Sequence, residues 1–206
     1  MAGRWVSVSP ERLAGWLDRF AAAHGPTTST VDSAAVTVTA ADGSVAECRV
    51  PFPPLPPGGD LVGHALRSRR VAVLLVRLGG YAAGVFDGTD LIASKVGSRH
   101  VHGRSAAGGQ SQQRFARRRE GQARVALAAA ADTAAAVLLP YVSTVDAVVL
   151  GGDRRATDTV LADPRLAPLR ERAVADRLDV PDPRLKVLRG TPEGFRAVRI
   201  LVQEAE

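Results

Sequence analysis

The residues best suited to chemistry lie at positions 102–124, where a glycine-rich segment runs into a series of arginines. Gly108 and Gly109 are adjacent, and Gln110 follows them directly. Two consecutive glycines admit positive φ and let the backbone approach a ligand closely. A glycine pair alone is a weak signal, so the neighbouring residues decide what this loop could bind.

Basic side chains flank the loop on both sides and are hardly offset by acids. Glu120 is the only acidic residue between positions 95 and 124. If the segment after the loop is helical, arginines at intervals of three and four residues share one face of that helix. Such a face is stabilised by an external polyanion, which favours nucleic acid over a merely solvated surface. The basic residues of this stretch are Lys95, Arg99, Arg104, Arg114, Arg117, Arg118, Arg119 and Arg124.

The composition of the whole chain agrees with a negatively charged partner. The 206 residues carry a formal net charge of +6, and all but two of the 27 lysines and arginines are arginine. The guanidinium is a planar fork that binds phosphate through two hydrogen bonds and stacks on bases. Cys48 is the only cysteine, which excludes an intrachain disulfide and a cysteine-based zinc site. We find no apolar run of signal-peptide or membrane-span type, so we expect a cytoplasmic protein without a membrane partner.

The elements around the loop can be predicted from local patterns. Gly-Gly and Asp-Gly turns separate three strand-like runs, 71–78, 81–86 and 91–96, which predicts an antiparallel meander. An alanine-rich helix should begin at Gln110 or Ser111 and end near Leu139, because Pro140 follows. The glycine-rich loop therefore joins the last strand of the meander to this long helix.

The remaining elements complete a mixed arrangement. After the long helix we expect a buried strand at 146–150, one or two helices within 155–177 and a short strand at 185–188. A last helix should run from 191 to about 204, with a strand at 198–202 as the alternative. Three antiparallel strands followed by alternating helices and strands predict an α/β (α+β) fold with a mixed sheet.

The N-terminal part has its own pattern. We expect a helix from Ser9 to about His24, then a hairpin around Asp42-Gly43. The proline-rich segment 51–57 can belong to neither a helix nor a central strand, so it is the best internal boundary. We therefore assign residues 1–60 to a helix-plus-hairpin extension and residues 61–206 to the main domain.

The loop sequence resembles the catalytic loop of the eukaryotic and archaeal class-one translation release factors. In those proteins Gly-Gly-Gln-Ser leads into a helix with the pattern Arg-Phe-x-Arg. Here Gly108-Gly109-Gln110-Ser111 is followed by Arg114-Phe115-Ala116-Arg117. Because 206 residues leave no room for codon-reading and partner-binding domains, we expect a stand-alone catalytic domain. The chain is most similar to the Vms-like release factor family, in its actinobacterial branch of peptidyl-tRNA hydrolases.

The resemblance implies an RNase H-like mixed sheet flanked by helices, and cleavage of the ester between a nascent peptide and tRNA. It implies that Gln110, with Gly108 and Gly109, is catalytic: its backbone N–H stabilises developing charge and its side chain helps to place water. It also implies ribosome rescue, with peptidyl-tRNA and the peptidyl transferase centre and rRNA of the large ribosomal subunit as partners, and no cofactor. The basic residues would then bind RNA phosphate, and Phe115 would pack.

Other functions remain open from the sequence. A metal site could use His100 and His102, but a third ligand is not evident nearby. A two-metal nuclease would need converging carboxylates, of which Asp146 is the one to examine. Ser111 with His100 and an aspartate could form a hydrolase triad, although no Gly-x-Ser-x-Gly elbow supports it. The most serious alternative is a non-catalytic ribosome- or RNA-binding protein that uses the arginine-rich helix.

Overall fold

The computed structural model describes residues 3–77, 79–98 and 111–205, and for residues 111–119 it describes the backbone only. The strands are β1 (Arg4–Val8), β2 (Thr27–Val31), β3 (Ala35–Ala40), β4 (Val45–Arg49), β5 (Arg70–Arg77), β6 (Gly80–Asp87), β7 (Asp90–Ser98), β8 (Ala147–Gly152), β9 (Ala173–Leu178) and β10 (Val198–Gln203). The helices are α1 (Pro10–His24), α2 (Leu61–Leu66), α3 (Ser111–Leu138), α4 (Arg154–Leu161), α5 (Ala167–Arg170), α6 (Leu185–Arg189) and α7 (Thr191–Phe195).

The chain divides into two compact units, and the division is discontinuous in sequence. One unit contains residues 1–68 and 192–206, and the other contains residues 69–191. The sequence-based division had placed every residue after position 60 in a single domain. The C-terminal segment belongs instead with the N-terminal one, because β10 is inserted between β1 and β4 in the same sheet.

The first unit is built on an antiparallel sheet of strand order β1-β10-β4-β3-β2. Alternate residues of its strands face a core that includes Val38, Cys48 and Ile200. Helices α1 and α2 cover this face, with Leu13 and Leu61 among their buried residues. The predicted hairpin is the pair β3 and β4, whereas β1 and β2 were not anticipated.

The second unit is built on a mixed sheet of strand order β7-β6-β5-β8-β9. The three antiparallel strands of the predicted meander are confirmed, and β8 and β9 run parallel to β5. Helices α3 and α4 supply Ala134 and Val160 to the core on one face of this sheet. On the other face, the side chain of Leu188 in α6 lies against Gly84. The predicted α/β class with mixed strand directions is therefore confirmed.

Three sequence-based assignments late in the chain were wrong. Residues 173–178 form strand β9 rather than part of a helix, and residues 185–189 form helix α6 rather than a strand. The predicted last helix ends after one turn, and the alternative strand at 198–202 is the structure that forms. Its alternating Val198, Ile200 and Val202 are all buried, which only a two-residue period allows.

The long helix has an apolar stretch that would also suit a membrane. Residues Glu120–Tyr141 are long and apolar enough to span one by length and composition alone, with a mean hydropathy of 1.4. In the structure Ala130, Ala134 and Leu138 pack into the core of the second unit. The structure buries 28% of this apolar stretch.

Candidate nucleic-acid interface

The candidate interface is organised by α3, whose C-terminal half is anchored in the second unit. Ala130, Ala134 and Leu138 lie four residues apart, so they fall on one side of the helix, and all three are fully buried. Alanine side chains let the helix lie close to the sheet. Farther toward the N-terminus burial decreases, and both Arg124 and Val125 are exposed.

The N-terminal turns of α3 continue past the end of the sheet. Ala123 and Leu127 line a small pocket together with Val76 and Tyr81, beside the turn that joins β5 to β6. Twelve residues separate Ser111 from Ala123, and an α-helix rises 1.5 Å per residue. The helix therefore extends about 18 Å beyond this pocket.

The strand that leads into the loop ends at the same end of the sheet. Ser98, the last residue of β7, pairs with Gly80, the first residue of β6. Lys95 pairs with Ala83, so its side chain lies on the face that carries α3, and it is exposed. The β7 strand thus ends at the same end of the sheet from which α3 projects.

For the site residues predicted from the sequence, the structure describes some side chains, the backbone alone at some positions, and nothing at others. Positions 114, 117, 118 and 119 lie in the helical backbone of α3, and the helical period brings positions 117 and 124 to the same side. Lys95 and Arg124 are exposed and, within the described part of the chain, form no ion pair. Asp132, which is farther along α3, is paired with Arg165 at 2.8 Å. The predicted residues that lie outside the described ones are Arg99, Arg104, Gly108, Gly109 and Gln110.

Asp146, the carboxylate considered for a two-metal nuclease site, has a structural role. A carboxylate oxygen of Asp146 accepts a hydrogen bond of 2.8 Å from the backbone N–H of Arg70, and the Asp146 N–H donates to the Arg70 carbonyl at 2.8 Å. These bonds join the starts of β5 and β8. The neighbouring Asp87 binds the Arg70 guanidinium at 2.5 Å, which raises the pKa of Arg70. Both carboxylates therefore serve the fold.

The described residues form neither a metal site nor a reactive cysteine nucleophile. In residues 3–77, 79–98 and 111–205 no group of three or more histidine, cysteine, aspartate and glutamate side chains could hold a metal ion. His100 and His102 lie outside those ranges. Burial raises the pKa of the Cys48 thiol to about 12, so this thiol stays protonated at neutral pH and is a poor nucleophile.

Tyr81 was not singled out from the sequence, yet it lies where α3 meets the sheet. Its ring packs against the core of the second unit and lines the pocket beside Ala123. Its ring atoms come within 2.5 Å of where a side chain at Gly97 would begin. No local pattern could indicate this position, because it depends on the register between β6 and β7.

Comparison with known proteins identifies the class. The profile of the Actinobacteria/chloroflexi VLRF1 release factor family matches residues 69–201, well over half of the chain. The chain therefore belongs to this family of release factors. None of the curated proteins that were compared matches it.

Two solved structures are similar to this chain at low sequence identity. The archaeal translation termination factor aRF1 is 15% identical, with a TM-score of 0.46, and the match covers 73% of this chain and 46% of that one. A structure described as an archaeal protein is 14% identical, with a TM-score of 0.37, over 73% and 47% of the two chains. The chain thus spans about half the length of the structures it matches.

Proposed function

We propose that this protein is a peptidyl-tRNA hydrolase that releases nascent peptides from stalled ribosomes or large ribosomal subunits. One observation carries the proposal. In a chain of the release factor family, Gly108-Gly109-Gln110 directly precedes the first residue of α3. Ribosome rescue would place the protein in the cytoplasm, and the reaction requires no cofactor.

The form of α3 supports this proposal. The helix has 28 residues, which corresponds to about 42 Å, and one side of its C-terminal half packs into the core. Because Gln110 is covalently joined to Ser111, an anchored helix of this length would present the glutamine at the far end of a stiff support. A narrow RNA cavity such as the peptidyl transferase centre would require such reach.

The reaction that we propose is hydrolysis of an ester. The oxygen of a water molecule attacks the carbonyl carbon that joins the peptide to the terminal ribose of tRNA. A new bond forms between carbon and the water oxygen, and the bond to the ribose 3′-oxygen breaks. The 3′-oxygen leaves with a proton that originates from the water. Most of the surrounding polar groups would come from rRNA.

Gln110 would contribute to this reaction in two ways. Its backbone N–H would stabilise the negative charge that develops on the carbonyl oxygen. Its side chain would help to place the water and exclude larger nucleophiles. Removal of one oxyanion-type donor commonly costs about 10²–10³ in rate, and water placement contributes through orientation. Gly108 and Gly109 would allow the close approach that this geometry needs.

The basic residues would bind rRNA and hold the loop in position. Arg124 and Lys95 are exposed and, among the residues that the structure describes, remain outside ion pairs. Their charges are therefore not neutralised by described neighbours. Positions 114, 117 and 118 would extend this surface toward the loop. Phosphate contacts of this kind would make binding dependent on salt concentration.

A peptide-release assay tests the proposal. Purified large subunits that carry peptidyl-tRNA would be mixed with the wild type, with Gln110→Ala or with the matched control Gln113→Ala. We expect Gln110→Ala to lose release by at least about a hundredfold while it binds subunits as the wild type does. The control should release peptide at close to the wild-type rate. Wild-type release by Gln110→Ala would refute the mechanism.

The same assay separates hydrolysis from the second candidate function. The exposed basic residues of α3 and β7 would also suit a protein that binds the ribosome or RNA without catalysis. Such a protein would bind the subunits with a steep salt dependence, yet the wild type itself would release no peptide. Repeating the assay with whole ribosomes and with free peptidyl-tRNA would define the preferred substrate.

A further inference from the structure

The sheet of the first unit has one face that neither α1 nor α2 covers. Paired residues in an antiparallel sheet point to the same side, so the register of each strand pair defines this face strand by strand. None of its side chains is buried, in contrast to the opposite face under α1 and α2. We call it the outer face, and it consists of Trp5, Ser7, Thr28, Thr30, Ala35, Thr37, Thr39, Val45, Glu47, Arg49, Arg199, Leu201 and Gln203.

The outer face carries a tryptophan between two arginines. Trp5 on the edge strand β1 is 41% exposed. The guanidinium carbon of Arg49 lies 4.8 Å from the centre of the Trp5 ring system, and that of Arg199 lies 4.9 Å from it. The chain has only two tryptophans, and the other, Trp16, packs against the core of this unit.

Arg49 and Arg199 bring two positive charges close together on the outer face. The pairing of Ile200 with Cys48 places Arg199 beside Arg49 on neighbouring strands. Two guanidinium groups side by side on neighbouring strands favour the binding of a phosphate group at this position. Glu47 is the only carboxylate on the outer face. Contact with the indole already restricts both arginine side chains, so less freedom would be lost when they bind a ligand.

We propose that the outer face binds a single-stranded RNA segment, with Trp5, Arg49 and Arg199 as its main contacts. The two guanidinium groups would bind a backbone phosphate, and the exposed part of the indole would contact an adjacent base. An acidic peptide would match the charge but would not use an aromatic surface next to it. Threonine hydroxyls on β2 and β3 extend the polar face beyond this cluster and can hydrogen-bond to ribose or phosphate.

This surface shares no residue with the proposed catalytic loop. Trp5 and Arg49 lie outside the segment 69–201 that matches the release factor profile, and all three residues belong to the first unit. The proposal therefore does not depend on Gln110 or on hydrolysis. It assigns the N-terminal segment and β10 a second RNA contact, in addition to the basic residues around α3.

Trp5 itself provides the readout. In a Trp16→Phe variant of the full chain Trp5 is the only tryptophan, and its fluorescence reports contact at this position alone. The variant would be titrated with a single-stranded RNA of about twelve nucleotides, the size that an open sheet surface binds. We expect saturable quenching that weakens with added salt. Absence of quenching, or quenching by oligoglutamate but not by RNA, would overturn the proposal.

A charge-matched pair of variants tests the arginines in the same background. Arg49→Gln with Arg199→Gln should weaken the quenching titration by about tenfold and reduce its salt slope by about one, as expected for loss of a phosphate contact. Arg12→Gln with Arg19→Gln removes the same charge from exposed positions on α1, on the other side of the sheet. Equal weakening by both pairs would show a general charge effect and reject the assignment.

Discussion

The ring of Tyr81 on β6 lies directly over Gly97 on β7, at positions that pair across the two strands. A methyl group built at Gly97 would come within 2.4 Å of a ring carbon and of the hydroxyl oxygen of Tyr81. Tyr81 also lines the pocket in which Ala123 and Leu127 of α3 lie. One aromatic side chain therefore fills the space between the last residues of β7 and the point where α3 leaves the sheet.

This relationship predicts the effect of a side chain at position 97. Gly97→Ala should displace the Tyr81 ring and destabilise the protein by about 1–3 kcal/mol, which is the usual cost of overpacking. Urea unfolding would measure the change. In a Tyr81→Ala background the same substitution should cost much less, because the ring that it meets is absent. An equal cost in both backgrounds would contradict the packing described here.

The anchor of α3 can be tested at Leu138. This side chain is fully buried, and its truncation to alanine should destabilise the protein by about 2–5 kcal/mol, through lost burial and the cavity that remains. Val125→Ala is a control on the same helix, where the side chain is 49% exposed, and it should change stability by less than about 0.5 kcal/mol. Similar effects of both changes would mean that the C-terminal half does not anchor the helix.

The ion pairs beside α3 predict a dependence of stability on pH. Hydrogen bonds from the Arg165 side chain and backbone lower the pKa of Asp163 below its ordinary value of 3.8, and Arg165 also binds Asp132 on α3. A lowered folded pKa stabilises the protein above the ordinary pKa, and this contribution is lost as pH falls through the folded value. Asp163→Asn should therefore lower the melting temperature at about pH 7, and by less at about pH 2, because the contribution fades as the pH falls below the ordinary value of 3.8.

One outcome of that pH experiment would contradict the prediction. If the melting temperatures of wild type and Asp163→Asn differ by the same amount at both pH values, the charge of Asp163 does not stabilise the fold. Asp18→Asn is a suitable control, since Asp18 is an exposed aspartate on α1 that forms no ion pair with the described residues, and it should show neither effect.

The basic face of α3 predicts a change in salt dependence. Replacement of Arg114, Arg117 and Arg118 by glutamine should weaken binding to large subunits and reduce the salt slope by about 2–3, because each lost phosphate contact contributes about 0.7–0.9. Filter binding over a range of salt concentrations would measure the slope. A triple variant of Arg12, Arg19 and Arg170, all exposed elsewhere, is the charge-matched control. An unchanged slope for the first variant would show that these arginines do not contact phosphate.

Most of the second unit could be predicted from local patterns, but its last part could not. The strands of the meander and α3 have clear glycine or proline boundaries, and they form as expected. Residues 173–178 were assigned to the end of a helical segment, yet they form β9 at the edge of the sheet beside β8. Short apolar segments of this kind fit both periods, and tertiary pairing decides between them.

The sequence by itself determined the candidate chemistry: Gly108-Gly109-Gln110 and the arginines after it are neighbours along the chain, and a motif of neighbours needs no fold to be recognised. Tertiary structure alone decided that β10 joins the N-terminal strands, because its partners Val6 and Cys48 lie roughly 150 to 190 residues away. It likewise decided that Trp5 meets Arg49 and Arg199, since three strands far apart in sequence must pair before those side chains share one face.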